Sequence, residues 1–297
     1  MRKIGIFSIK EDFAYSLIHE INQLNVKNIR AEFALVGDTK LFERSPYKLI
    51  IDRLSYYVKY FSAYFKNAAL TGTYVINNPF AHVGERFLNY NHAKKMGVHV
   101  PRTVCLPSCQ QHPACSAEDL KNLKYPLDWE EMTDFVGFPA ILKPYEAFGY
   151  RDVYKIGSIN ELIQAYNGTQ QQVMILQQFI DYDLFVKVYV VGGKDVLVVK
   201  YKPSTREYVT DDEWDKSLPG QRIIDSAREF SKKMGFDFGV MEYAVKDNAP
   251  YAVNFINPSP NCRKETLGTE NFNWLVKKLS KLAIKLVQSD AKNNLEC

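Results

Sequence analysis

Residues 137–144 read Gly-Phe-Pro-Ala-Ile-Leu-Lys-Pro, a short apolar run with one lysine at its end. An apolar run of this length, bounded by glycine and proline, predicts a buried strand. Because Pro144 follows directly and restricts the backbone, we expect the ammonium group of Lys143 to be held at the strand terminus. A nucleotide phosphate is one partner for it. The alternative is a surface lysine that extends from an edge strand into solvent.

The next apolar stretches along the chain also end in, or contain, isolated polar residues. Val173–Ile180 predicts a strand, and Asp183 follows it closely. The next predicted strands, Phe185–Val191 and Val196–Tyr201, are joined by Gly192-Gly193, which predicts a hairpin turn. In the first of them, Lys187 alternates with Phe185 and Tyr189 and therefore shares one face with them. A lone lysine in a strand most often lies on a solvated face, so the pattern leaves both interpretations open.

The last two predicted strands, Val240–Val245 and Tyr251–Ile256, form a hairpin with oxygen-bearing side chains near its ends. Glu242 lies on the first strand, and Asn254 and Asn257 lie on or just after the second. Carboxylate and amide oxygens are the ligands that Mg²⁺ prefers. Ordinary hairpin polarity explains any one of these residues, whereas the three together predict a metal site.

The first part of the chain has a different pattern, in which strands alternate with helices. The strands are predicted at Lys3–Ile9, Ala31–Val36, Tyr47–Ile51 and Thr73–Ile76. This alternation predicts a parallel sheet, whose ligands lie beyond the carboxyl ends of the strands. Asp52 and Arg53 follow one such end. They are either site residues or an exposed loop salt bridge.

The composition excludes several classes of protein. The chain has 297 residues, 46% of them hydrophobic, and a formal net charge of +4. This is long enough for a sizeable core and too balanced in charge to indicate a nucleic-acid partner. No apolar run approaches the ~20 residues that span a bilayer. The N-terminal apolar stretch is too short for a secretory signal, so we expect a cytosolic location and no membrane partner.

Two local patterns have competing interpretations. Cys105, Cys109, His112 and Cys115 crowd together and could suggest zinc, but their spacing matches no common metal knuckle. Reduced thiols are the favoured interpretation of the five cysteines. The last helix, predicted at Asn273–Val287, has a leucine stripe opposite a lysine-rich side. A membrane-surface helix can look like this, but packing against its own domain is favoured.

The common sequence signatures of phosphate-binding loops and hydrolases are missing. The sequence contains no G-x-x-x-x-G-K-[ST], and no G-x-G-x-x-G follows the first strand. It also lacks G-x-S-x-G and H-E-x-x-H. What remains is a set of lysine, arginine, carboxylate and carboxamide side chains at strand ends.

The order of these segments resembles the ATP-grasp superfamily, and within it the branch of glutathione synthetases and ribosomal-protein glutamate ligases. The resemblance runs from about Ile50 to the last helix. It rests on these segments: residues 50–53 (Ile-Ile-Asp-Arg), 75–79 (Val-Ile-Asn-Asn-Pro), 97–101 (Gly-Val-His-Val-Pro), 137–144, 177–180 (Gln-Gln-Phe-Ile) and 254–258 (Asn-Phe-Ile-Asn-Pro).

The resemblance implies a fold and a domain organisation. The expected fold is mixed α/β and α+β, with an N-terminal βαβ domain followed by a two-subdomain ATP-grasp fold. The expected boundaries are an α/β substrate-side domain over 1–80, a small ATP-grasp subdomain over 81–180 and a C-terminal subdomain over 181–297.

The resemblance also implies ATP and Mg²⁺ as ligands and assigns roles residue by residue. The expected nucleotide-binding residues are Arg86, Lys143, Gln178, Phe179, Ile180, Asp183 and Lys187. Those expected for the metal are Glu242, Asn254 and Asn257. Arg206 and Lys187 are expected on the catalytic, acyl-phosphate side, and Arg53 and Arg151 are expected to meet the substrate. Arg53 suits a carboxylate because its planar guanidinium group allows bidentate pairing.

The activity implied is ligation of a small carboxylate to an amine or thiol. The carboxylate attacks the γ-phosphate of ATP to give an acyl phosphate, and the nucleophile then displaces phosphate. Relatives are usually dimers, so a homodimer is also an expectation.

Two departures from the family pattern favour an alternative. Asn254 stands where a second metal carboxylate is expected, and the glycine-rich phosphate loop is reduced to Gly149. The alternative is an ATP-binding regulatory or scaffold protein of this fold that has lost turnover. A kinase that phosphorylates a stable acceptor is a third hypothesis.

Overall fold

The computed structural model describes residues 1–81, 84–110, 122–146, 152–205, 207–209 and 214–295. The chain divides into two compact units. Unit 1 comprises residues 1–84, 184–243 and 254–297, and unit 2 comprises residues 85–183 and 244–253. The boundaries expected at residues 80 and 180 stay a prediction.

The strands, in chain order, are β1 (Arg2–Phe7), β2 (Ile29–Phe33), β3 (Leu49–Asp52), β4 (Tyr74–Ile76), β5 (Thr103–Leu106), β6 (Ala140–Pro144), β7 (Tyr154–Ile156), β8 (Met174–Gln178), β9 (Leu184–Val191), β10 (Asp195–Lys202), β11 (Glu207–Val209), β12 (Phe238–Lys246) and β13 (Ala249–Asn257). The helices are α1 (Asp12–Gln23), α2 (Lys59–Leu70), α3 (Arg86–Lys95), α4 (Trp129–Val136), α5 (Ile159–Asn167), α6 (Leu218–Met234), α7 (Lys264–Leu267) and α8 (Thr269–Gln288). Short 3₁₀ helices cover Ser55–Tyr57 and Trp214–Lys216.

The N-terminal sheet of unit 1 has the order β2-β1-β3-β4, and its strands are parallel. Ile4 and Ile6 of β1 and Leu49 and Ile51 of β3 have no exposed surface. Near-continuous apolar strands of this kind are typical of a sheet covered on both faces. The parallel sheet expected from the alternation of strands and helices is therefore confirmed.

The second sheet has the order β11-β10-β9-β12-β13, and β9 and β10 form an antiparallel hairpin. The expected turn lies at Gly192 and Gly193, whose φ angles of 61° and 65° are in the left-handed region. Glycine adopts this conformation without the steric cost that a Cβ atom adds.

One core of unit 1 joins this sheet to the first and last helices. Phe13 and Leu17 of α1, Leu275 and Leu279 of α8 and Val240 of β12 belong to the same buried cluster. The leucine stripe of α8 therefore packs inside its own unit, as the favoured interpretation of this helix predicted. No helix among the described residues is long and apolar enough to cross a membrane.

Unit 2 contains an antiparallel sheet of order β5-β8-β6-β7. Its apolar core includes Leu142 of β6, Leu176 of β8 and Leu162 of α5. Helix α4 was not predicted from the periodicity, although its N-cap signal is present. The Asp128 side chain accepts a hydrogen bond from the Glu131 backbone N–H at 2.9 Å.

Candidate functional site

In unit 2, Lys143 is buried and its ammonium group is enclosed by oxygen acceptors. Lys143 Nζ donates to Gln177 Oε1 at 2.7 Å, to the Val253 carbonyl at 2.7 Å and to the Tyr90 hydroxyl at 3.0 Å. The side chain is 7% exposed. The surface-lysine alternative is therefore wrong, because tertiary contacts, not solvent, surround the end of β6.

The pairing of β6 with β8 positions this cluster. Ile141 pairs with Gln177 and Lys143 with Ile175, so the Gln177 amide lies diagonally beside Lys143 on the neighbouring strand. Gln177 Nε2 donates to Thr103 Oγ1 of β5 at 3.0 Å. This second bond fixes which end of the amide faces the lysine.

Arg86, the first residue of α3, contacts the chain directly after Lys143. Its Nη1 donates to the Pro144 carbonyl at 2.5 Å and to the Glu146 carbonyl at 3.1 Å. Arg86, which the resemblance assigns to the phosphates together with Lys143, therefore contacts the backbone directly after Lys143 in unit 2.

Two backbone N–H groups of the segment expected to bind adenine already donate hydrogen bonds within unit 2. The Gln178 backbone N–H donates to the Arg102 carbonyl at 2.8 Å, and the Phe179 N–H donates to the Pro139 carbonyl at 3.1 Å. Ile180 is buried. The exposed residue Asp183 accepts a hydrogen bond from the Asp247 N–H at 2.9 Å, which stabilises the turn between β12 and β13.

In unit 1, Lys187 lies in a buried cluster with one carboxylate and two tyrosines. Lys187 Nζ is 3.1 Å from Glu242 Oε1, and the two side chains are 8% and 6% exposed. It also lies 3.9 Å from the ring centroid of Tyr201 and 5.5 Å from that of Tyr208, a geometry that adds cation–π attraction. The solvated-face interpretation of Lys187 is wrong.

Cross-strand register explains this cluster. Lys187 on β9 pairs with Val199 on β10, and Tyr201 on β10 pairs with Tyr208 on β11. These side chains therefore share one face of the sheet. Burial raises the pKa of the Tyr208 hydroxyl, and the Lys187 charge acts in the opposite direction.

Glu242 and Asn254 come together as the metal prediction requires, but their oxygens are already engaged. Glu242 Oε1 pairs with Lys187, and Glu242 Oε2 accepts from Asn254 Nδ2 at 3.0 Å. Asn257 lies further along β13, where its Oδ1 accepts from the Ser259 N–H at 3.0 Å. Among the described residues, no group of three or more His, Cys, Asp or Glu side chains could hold a metal ion. As placed, these residues do not fit a divalent-cation site.

Arg53 lies inside unit 1 and not at its surface. Its Nε is 2.8 Å from Glu11 Oε1, and its Nη2 donates to the Pro260 carbonyl at 2.9 Å. Its Nη1 contacts Cys262 Sγ at 3.9 Å. Asp52 instead accepts from the Leu54 and Ser55 N–H groups. The prediction of an exposed Asp52–Arg53 salt bridge is therefore wrong. The Arg53 guanidinium group is buried and binds partners within unit 1.

Some predictions lie outside the described residues. Arg206 and Arg151 are among them, as are His112 and Cys115 of the proposed zinc cluster. Cys105, Cys109 and Cys262 are free thiols, in agreement with the reduced state expected of the cysteines.

Comparisons with known proteins identify the architecture. No protein-family model and no curated protein matches the sequence. The RimK-domain ATP-grasp protein of Sphaerobacter thermophilus superposes with a TM-score of 0.65 at 15% identity, over 95% of this chain and 99% of that one. D-alanine–D-alanine ligase from Bacillus anthracis, complexed with ATP, gives 0.61 at 12% identity, over 97% and 98% of the two chains. The chain has the ATP-grasp fold.

A third ATP-grasp structure supports this assignment. The ligase PsnB, complexed with a minimal precursor, Mg and ADP, gives a TM-score of 0.62 at 12% identity, over 96% of this chain and 98% of that one. The resemblance inferred from the sequence is confirmed at the level of the ATP-grasp fold.

Sequence reasoning missed several members of the two clusters within the ATP-grasp fold. Tyr90, Gln177, Tyr201 and Tyr208 were assigned no side-chain role, although each contacts one of the predicted lysines or its ring partners. Alternation along β10 places Tyr201 on one face. No local signal pairs that face with Lys187.

Proposed function

We propose that this protein is an ATP-dependent ligase that joins a carboxylate to an amine or thiol through an acyl phosphate. The observation that carries the proposal is the burial of two lysines, Lys143 and Lys187, at the positions that the resemblance assigns to nucleotide phosphates. Burying an ammonium group is costly unless hydrogen bonds or charges compensate it. Both ammonium groups meet this cost with polar or charged partners, so both are ordered inside their units.

In this proposal, the phosphates bind Lys143, Arg86 and Lys187. Because the Gln178 and Phe179 amides already donate to carbonyls, adenine would use other backbone groups of the 178–183 segment.

The chemistry requires charge neutralisation and positioning more than covalent catalysis. The substrate carboxylate and the γ-phosphate repel each other, and fixed cations lower that barrier as the acyl phosphate forms. ADP leaves with the electron pair of the broken phosphoanhydride bond. The amine or thiol then attacks the acyl phosphate and displaces inorganic phosphate. Arg206 and Arg151 stay predictions for this step, as does the substrate role of Arg53.

The substrate class stays open between small molecules and peptides. The B. anthracis protein is named for D-alanine, whereas PsnB was also solved with a precursor peptide. We therefore include both in the test. A homodimer and a cytosolic location also stay predictions.

The test is ADP release with a panel of amino acids, small carboxylic acids and short peptides. Lys143→Met should lower the rate by about 10²–10³-fold, because a preorganised cation is lost. The exposed residue Lys124 of the same unit provides the control Lys124→Met, which should retain the wild-type rate. Wild-type protein that never exceeds Lys143→Met with any pair of substrates would remove the ligase assignment.

The second candidate is a nucleotide-binding protein without turnover. It is favoured by Asn254 in place of a carboxylate and by the Lys187–Glu242 pair, which leaves no charged donor for a metal among the described members of that cluster. Calorimetry separates the two candidates. ATP binding without ADP release under any condition would favour this one.

A further inference from the structure

The Lys187–Glu242 pair occupies the corner of unit 1 where the sequence pattern places a metal. Among the members of this cluster that the structure describes, which are Lys187, Glu242, Asn254, Tyr201 and Tyr208, Glu242 is the one carboxylate. Its two oxygens contact an ammonium group at 3.1 Å and an amide N–H at 3.0 Å. The formal charges of the lysine and the glutamate cancel.

This arrangement is a poor starting point for a divalent cation. Mg²⁺ gives up its water reluctantly and is held in proteins by carboxylates and substrate phosphates. An ion bound to Glu242 Oε1 would have to displace Lys187, whose side chain is 8% exposed. The displaced ammonium group would then be buried beside a second positive charge.

The aromatic side chains hold Lys187 where it is. The Tyr201 ring centroid is 3.9 Å from Nζ, and the Tyr208 centroid is 5.5 Å away. The Tyr208 hydroxyl is fixed in turn, 3.0 Å from that of Tyr189. The cation is therefore positioned by three strands, and its place does not depend on a bound ligand.

We propose that Lys187 is a built-in counter-ion that replaces the protein-bound divalent cation, so that this chain binds nucleotide phosphates without metal ligation by Glu242. The proposal rests on the proposed function for the nucleotide itself. It goes further in assigning Glu242 to hold Lys187 and not Mg²⁺.

The first experiment uses the wild-type protein. ATP affinity is measured by calorimetry in EDTA and again in excess Mg²⁺. The dissociation constant should change by less than about threefold, because the cation that meets the phosphates is part of the chain. ATP binding that is more than about tenfold tighter with Mg²⁺ would overturn the proposal.

The second experiment exposes Glu242 to metal. Mn²⁺ is titrated into nucleotide-free protein, and the electron paramagnetic resonance signal of free Mn²⁺ reports how much stays unbound. Wild type and the control Lys202→Met, an exposed lysine on β10, should leave the signal unchanged. Lys187→Met should bind Mn²⁺, since Glu242 loses its counter-ion. Thermal melting verifies that each variant is folded.

The outcomes separate this proposal from the proposed function. Mn²⁺ binding by the wild-type protein overturns the counter-ion assignment. Absence of ATP binding in both EDTA and Mg²⁺ refutes the proposed function, and the Mn²⁺ titration still decides the role of Lys187. If Lys187→Met does not fold, the wild-type measurements alone decide.

Discussion

Two carboxylates of unit 1, the buried Glu242 and the partly buried Asp237, meet the cost of desolvation differently. Glu242, within β12, has the Lys187 ammonium group 3.1 Å away. Asp237, directly before β12, has the Tyr74 hydroxyl at 2.9 Å. Burial raises the pKa of Asp237 to about 6, and the hydrogen bond from Tyr74 opposes the shift. A cation compensates Glu242, whereas a neutral hydroxyl contacts Asp237, and the raised pKa of Asp237 makes the stability of the fold depend on pH.

The largest effect on stability is expected when the cation beside Glu242 is removed. Lys187→Met should lower the free energy of unfolding by about 3–5 kcal/mol, because it leaves Glu242 buried without its counter-ion. Chemical denaturation at neutral pH measures the change. The exposed control Lys202→Met should stay within about 0.5 kcal/mol of wild type. Equal stabilities of the two variants would show that the ion pair contributes nothing.

The second prediction concerns pH and the Asp237 carboxyl group. Between pH 3.8 and about 6 the unfolded chain loses this proton while the folded chain retains it. Stability therefore falls as pH rises through this window, by about 3 kcal/mol relative to Asp237→Asn. Denaturation of both proteins from pH 4 to pH 7 gives the difference. A difference that is constant over this range would contradict the raised pKa.

A smaller effect is expected from Tyr74→Phe. Above pH 6 this change removes a hydrogen bond to the ionised Asp237 and should cost about 2 kcal/mol. Near pH 4 the cost should be smaller, because the carboxyl group is then neutral. The pH midpoint of the stability curve should also move upward. A cost that is the same at both pH values would mean that Tyr74 does not act through the charge.

The smallest effect is expected from Asn254→Ala. This change deletes the amide that donates to Glu242 Oε2, and the loss should be about 1 kcal/mol, since the Lys187 contact to Oε1 stays. Denaturation at neutral pH measures it. A loss as large as that of Lys187→Met would mean that Asn254, and not the cation, supports Glu242.

Much of the fold follows from local pattern. The apolar runs predicted most strands of both units, and Gly192-Gly193 predicted the β9–β10 hairpin. Strand β11 was not predicted, because the segment after Tyr201 is polar. Helix α4 was missed because it is short. The apolar periodicity predicts helix α6 over about 221–234, and the helix begins earlier, at Leu218. Its N-cap is Ser217, whose side chain accepts from the Gly220 N–H at 3.2 Å.

The candidate site was predicted in part. Lys143 and Lys187 stood out because each is one charge in an apolar strand, and Glu242 and Asn254 because they lie on paired strands. The resemblance implied a substrate role for Arg53, which follows β3. Its partners Glu11, Pro260 and Cys262 are distant in sequence, so nothing near it indicated an interior role.

Local sequence is enough to show which side chains share a strand face, as with Phe185, Lys187 and Tyr189, because alternation follows from the extended backbone. Tertiary structure alone decided which faces meet. Lys187 acquires Glu242 only when β9 lies beside β12, and Lys143 acquires Tyr90 only when α3 packs near β6. Such pairings depend on packing between distant segments, and no periodicity within either segment encodes the partner.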